Sequence, residues 1–173
     1  HGRGVYVIEN PLDYRLAAGT RFTETLNALG KSTNSQVIRK LVIPASERIA
    51  GRLALAPGEP VIWIETLRLA ENYPLCVISH FLPAGNYRQV FDEYDGGSLH
   101  RLLELRYGCV LRRDESQVTA ILPQGDDARL LGIPQSRPVL RVKSLNTDSR
   151  NNSPVEYALT RFRADRIQLR INP

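Results

Sequence analysis

The chain has 173 residues, 23 Lys and Arg against 18 Asp and Glu, and 42% apolar residues, enough for one domain with a real core. Its 24% charged and 7% aromatic shares exclude the disordered, collagen-like and disulfide-framework classes. No apolar run is longer than Leu53 to Ala56, far short of the roughly 20 residues a helix needs to cross a bilayer, so no membrane partner is expected.

No methionine occurs and the chain opens His1-Gly2, so a fragment of a longer protein is expected. Nothing resembling a secretion leader stands at its start, and a cytoplasmic location is the expectation. Gly2 to Val7 reads as the end of a β element. Residues 8–20, with Pro11 and Gly19, lack a sustained period and read as a linker, and the domain proper is expected from Arg21 to Pro173. A helix follows over Phe22 to Leu29, with Phe22, Leu26 and Leu29 on one side and Gly30 as its stop.

The rest of the chain carries an internal duplication. Ile43 to Leu67 can be laid on Ile121 to Leu145 at a constant offset of 78, matching Ala50 with Ala128, Leu53 with Leu131, Pro60 with Pro138 and Val61 with Val139. After two extra residues the match resumes at Pro74 and Pro154. Each unit reads as a strand, a short helix and a long hairpin, the helices being capped by Ser46 and by Asp126, with Gly132 closing the second. The predicted hairpins are Val61 to Leu69 with Leu75 to Leu82, and Val139 to Asp148 with Val155 to Arg163. Between the units, the second half of Tyr87 to Gly108 is a predicted helix, with Ser98 as N-cap after Gly96-Gly97 and Gly108 as its stop. The expected class is α+β, an internally duplicated antiparallel sheet backed by helices.

Cys76 and Cys109 have no partner motif and fit no zinc spacing, so both read as small buried hydrophobes. The basic residues are scattered, and Arg112-Arg113 followed by Asp114-Glu115 reads as a solvated face.

Strand parity supplies the first candidate for chemistry. Leu140, Val142, Ser144 and Asn146 point inward, and because the offset is even, Ile62, Ile64, Thr66 and Arg68 share that face. An inward guanidinium at Arg68 needs an anion, either an internal carboxylate such as Glu156 or the carboxylate or phosphate of a ligand. Ser98 is explained as an N-cap, yet the helix it opens presents unpaired N–H groups after a Gly-Gly turn, which suits an anion. His100 stands in the first turn of that helix, as a half-buried helix residue or a hydrogen-bond donor to a ligand. There is no G-x-S-x-G elbow, P-loop, G-x-G-x-x-G or H-E-x-x-H, nor any acid/base pair, so a binding module without cofactor or metal is favoured over an enzyme.

The order of motifs resembles a known family. A helix opening Phe22-Thr23-Glu24, P-G-E-P-V-I-W-I-E-T-L-R at 57 to 68, F-L-P at 81 to 83, G-S-L-H at 97 to 100 and S-P-V-E-Y-A-L-T-R-F-R-A-D-R at 153 to 166 resemble the UTRA effector domain of HutC-type GntR transcription regulators. Gly2 to Val7 is in turn similar to the last strand of the winged helix-turn-helix that precedes such domains. The resemblance implies a chorismate-lyase-like fold, a homodimer, and DNA binding through the domain missing from this chain. It also implies an effector pocket made by Phe22, Thr23, Arg68, Ser98, His100, Glu156 and Phe162. Sugar-phosphate-sensing members often carry a second arginine where Thr66 stands, an acidic residue near Ile78, and tyrosines at His100 and Phe162, which speaks against an amino-sugar phosphate. L-C-V-I-S-H-F, F-D-E-Y-D-G-G-S-L-H and L-R-R-D are most similar to the phosphonate-utilisation regulators, implying a phosphonate or phosphate-ester effector. The rival expectations are a chorismate-lyase-like enzyme and a ligand-free dimerisation module.

Overall fold

Sheet order carries the duplication into three dimensions. A computed structural model describes residues 10–19 and 22–171. Six strands, β2 (Thr33–Pro44), β3 (Pro60–Ala70), β4 (Tyr73–Pro83), β5 (Leu111–Ile121), β6 (Val139–Asp148) and β7 (Pro154–Arg163), form one antiparallel sheet in the order β2-β3-β4-β7-β6-β5. That order reads the same from either edge when the first unit is exchanged for the second. The pair Ser79–Leu159 lies at the centre of symmetry, flanked by Ile78–Thr160 and His80–Ala158.

Helices cover both faces of the sheet. On one side lie α3 (Ala84–Glu93) and α4 (Leu99–Tyr107), which bury Val90, Leu99 and Leu103 against Ile62, Ile64 and Leu82. The same side carries α1 (Phe22–Ala28), whose Leu26 joins Ile78, Val142, Ala158 and Phe162. On the other side α2 (Glu47–Leu53) seats Ile49, Ala50 and Leu53 on Val61, Phe81 and Tyr157, and α5 (Asp127–Leu131) seats Ala128 and Leu131 on Leu67, Val77 and Val139. The helix of each unit packs chiefly on the other unit's central strand, α2 on β7 and α5 on β4. Neither unit can cover its apolar surface alone, so the two share a core. Even positions of β3 do face inward, but Val61 and Leu67 are buried as well, because the opposite face is also covered.

The predicted hairpins, the Ser46 cap and the α4 limits hold. Ser46 Oγ accepts from Ile49 N at 3.4 Å, and Gly108, at φ 62°, takes the left-handed turn that ends α4. Other expectations are corrected. Asp126 stands at the N-cap of α5 in helical geometry, but its side chain pairs with Arg129 and caps nothing. Leu29 lies outside α1 and is half exposed. Residues 84–93 form α3, kinked at Tyr87, where no helix was predicted. The stretch 8–20 is not wholly a linker: Leu12–Arg15 forms β1, parallel to β8 (Ile167–Arg170), and buries Tyr14. Apolar alternation over four residues is too short a signal to register against flanking Pro and Gly. The strand expected over residues 2–7 lies outside the described residues.

Both cysteines are free and buried, and burial pushes the Cys76 thiol up to about 12 and the Cys109 thiol upward as well, which disfavours the thiolate in both. Among the described residues, no helix is long and apolar enough to cross a membrane and no cluster of His, Cys, Asp or Glu could hold a metal.

Candidate functional site

The face bearing α1 and α4 contains a pocket of about 550 Å³, counting its open mouth. All seven residues singled out from the sequence line it: Phe22, Thr23, Arg68, Ser98, His100, Glu156 and Phe162.

Arg68 comes from the inner end of β3 and is 5% exposed. It does not pair with Glu156, the internal carboxylate considered for it. One terminal nitrogen donates to the Gly97 carbonyl at 2.7 Å, and its buried Nε has no partner among the described residues. The Gly96-Gly97 turn brings that carbonyl and the start of α4 to the guanidinium. Gly96 sits at φ 139° with the Ser35 carbonyl 2.9 Å from where a Cβ would stand, so the turn approaches β2 as only glycine permits. Ser98 Oγ then accepts from Arg101 N at 3.3 Å.

Glu156, fully buried on β7, is instead the centre of a polar cluster. His100 Nε2 donates to its Oε2 at 2.7 Å and Asn146 Nδ2 to the same oxygen at 2.6 Å, while His80 Nδ1 donates to Oε1. Burial pushes the Glu156 carboxyl up, but His100, through charge and hydrogen bond, and the hydrogen bond from His80 together hold it well below the usual carboxylate range. Burial also holds the His80 imidazole below its ordinary value, so that ring is neutral, with its proton on Nδ1. Its Nε2 accepts from the Thr66 hydroxyl at 3.3 Å. The arrangement is a fixed anion with its donors already placed, and it leaves Arg68 without a counter-charge.

The apolar wall is aromatic. Tyr14 lies 5.4 Å from Phe162 and 5.6 Å from Phe22, ring centre to ring centre, with Thr23 beside them. Sequence reasoning missed Tyr14, His80, Asn146 and Arg113 as pocket residues. His80 and Asn146 share the inward parity and could have been found by it. Arg113 could not: the Arg112-Arg113 pair was read as a solvated face, and only Arg112 behaves so, bonding Asp114 and Asn152 at the surface, while Arg113 turns into the pocket.

Opposite this pocket, across the sheet, Arg161 joins Asp127 at 3.0 Å and Glu65 at 3.2 Å and donates to Ser79 Oγ at 2.8 Å. This buried network ties α5 to the centre of the sheet and takes no part in the pocket.

Comparison with known proteins agrees with this geometry. The UTRA domain family matches residues 28–168. The chain is 35% identical over 167 residues to the probable transcriptional regulator PhnF of Escherichia coli K12, covering 96% of this chain and 69% of that one. It is 25% identical to the HTH-type transcriptional repressor NagR of Bacillus subtilis, covering 95% and 68%. Among solved structures, the effector domain of PhnF from Mycobacterium smegmatis superposes with a TM-score of 0.86 at 23% identity, over 94% of this chain and 99% of that one. A PhnF C-terminal domain superposes at 0.74 with 32% identity, over 86% and 93%. These relatives are named as regulators and none of them as an enzyme, and the chain belongs to the UTRA family, as the effector domain of a GntR-type transcription regulator.

Proposed function

We propose that this domain senses a small anionic metabolite, a phosphonate or phosphate ester, and so modulates DNA binding by a winged helix-turn-helix domain on its N-terminal side. The observation that carries this reading is the buried Arg68 guanidinium, which has no carboxylate partner because Glu156 is occupied by His80, His100 and Asn146. A buried, uncompensated cation is costly, and an anionic ligand offsets that cost. Ser98 and the first N–H groups of α4 stand beside it, adding donors that favour a doubly charged head. His100 and Glu156 orient the polar remainder, Thr23 offers a hydroxyl, and Phe22 and Phe162 cover any apolar part. The resemblance of the β4, 91–100 and 111–114 segments to phosphonate-utilisation regulators supports the choice of head group.

In the intact cytoplasmic regulator two copies associate, and the effector stabilises one arrangement of the pair and of residues 8–20, which changes the spacing of the DNA-binding domains. The effector must bind that arrangement more tightly than the other. The test is the melting temperature of the domain against phosphonates, sugar phosphates, amino acids and dicarboxylates. A hundredfold excess over the dissociation constant stabilises by about 2.7 kcal/mol, a shift of several degrees. A shift confined to phosphonates or phosphate esters supports the reading, and a shift confined to amino acids overturns it.

A further inference from the structure

Arg113 reaches the pocket because of an irregularity in its strand. Ser116 pairs with Ser144 and Val118 with Val142, so even positions of β5 share the pocket face. On a regular strand Arg113 would project from the opposite face. The register shifts between Arg113 and Glu115, which leaves Asp114 without a partner and sets Arg113 opposite Asn146, on the pocket side. Its Nε is buried and, like that of Arg68, has no hydrogen-bond partner among the described residues.

The same residue holds the segment that follows β1. Its backbone N–H donates to the Ala18 carbonyl at 2.8 Å, and its guanidinium donates to the Ala17 carbonyl over a long 3.4 Å. Tyr14, on β1 itself, lines the same pocket as that guanidinium. A neutral carbonyl at 3.4 Å is a weak acceptor, and a phosphonate oxygen makes a shorter, charge-assisted bond to a guanidinium. An anion in the pocket therefore competes well for the side chain while the backbone bond to Ala18 stays in place.

We propose that Arg113 is a second cationic ligand of this pocket, joining Arg68 on a doubly charged anion, and that in turning to the anion it gives up its bond to the Ala17 carbonyl and so couples the pocket to the segment that follows β1. This rests on the anion-binding reading above. With the donors of Glu156 already placed, the two guanidiniums outnumber the one carboxylate, and a doubly charged ligand gives each guanidinium a charge-assisted acceptor. The doubly charged anion can be one phosphonate head or a phosphonate plus a carboxylate.

The experiment titrates methylphosphonate and phosphonoacetate onto the wild-type chain, Arg68→Gln, Arg113→Gln and Arg113→Lys, and follows amide hydrogen exchange over residues 12–19. Without probe, Arg113→Gln should exchange faster there than wild type. Saturating probe should speed exchange over the same residues in wild type and leave it unchanged in Arg113→Gln. Affinity should fall about tenfold or more in Arg113→Gln, with part of it restored in Arg113→Lys, which keeps the charge and guards against a folding defect. A larger loss for phosphonoacetate than for methylphosphonate assigns Arg113 to the carboxylate, and an equal loss assigns it to the phosphonate head. Wild-type affinity in Arg113→Gln, or exchange over 12–19 unmoved by bound probe in wild type, overturns the inference while loss of binding in Arg68→Gln preserves the pocket reading. Failure of both probes to bind wild type overturns both.

Discussion

Arg68 and Asn146 occupy the same position of the duplicated unit. Arg68 lies between Ser35 and Cys76 in the sheet, and Asn146 between Arg113 and Glu156, so each neighbour of one is the counterpart of a neighbour of the other. The two halves have taken complementary parts at equivalent places. The first supplies a cation without a carboxylate partner, and the second an anion with its donors.

The Glu156 cluster makes the first prediction. Glu156→Gln keeps the shape but replaces an acceptor oxygen with an amide that must face one of the existing donors. Loss of a buried charge-assisted contact costs about 2 kcal/mol, to be read from urea unfolding. A variant as stable as wild type would show that the cluster contributes nothing net.

Acid should weaken the fold in two stages. The folded-state value of His80 is depressed below 6.5, so on acidification the unfolded chain takes up that proton first. Its contribution is complete above pH 6.5 and declines as the pH falls below it. Glu156 is depressed below its ordinary 4.5, so its contribution is present above pH 4.5 and is lost as the pH falls further. Unfolding free energy measured against pH should therefore begin to drop below 6.5, and His80→Gln should flatten that first limb. A profile that is flat down to 4.5 in the wild type would contradict a neutral buried His80.

Arg161 offers a control from the other face. Arg161→Met removes the cation that Asp127 and Glu65 share, which strands the buried Asp127 carboxylate and leaves Glu65 with Arg39 and Ser79 alone. Unfolding free energy should fall by about 3 to 5 kcal/mol. Probe affinity of the molecules that remain folded should stay as in wild type, because the sheet separates this network from the pocket.

Gly96→Ala should disturb the turn that opens α4. A Cβ there would stand 2.9 Å from the Ser35 carbonyl at a φ of 139°. The strain costs about 1 to 3 kcal/mol, and displacement of Gly97 and Ser98 should weaken anion binding in the same variant. Unchanged melting and binding would show that the turn is not constrained.

Much of this arrangement was legible in the sequence because it follows from periodicity. The offset between units, the even parity of Arg68 and the caps at Ser46 and Ser98 are local patterns, and the sheet preserves them. The resemblance to UTRA domains added Phe22, Thr23 and Phe162 and gave His100 and Glu156 a place in the effector site, and all five line the same pocket. What escaped depends on breaks in the pattern or on distant partners. The bulge at Asp114 reverses the parity of Arg113, and nothing in L-R-R-D-E announces it. β1 is four residues long and exists because β8 lies beside it. Burial of odd positions on β3 depends on α2 and α5 arriving on the second face, which a strand's own alternation does not reveal. The pairing of Glu156 with His80 and His100, and not with Arg68, is a choice among partners 10 to 76 or more residues apart in the chain, which strand parity leaves open.

The most direct test of the central claim is a calorimetric titration of methylphosphonate into wild type and Arg68→Gln, with the melting temperature of each free protein measured alongside. The account predicts saturable binding to wild type, its loss in Arg68→Gln, and a free variant at least as stable as wild type, since a buried unpaired cation has been removed. Equal affinity in the two proteins would contradict it.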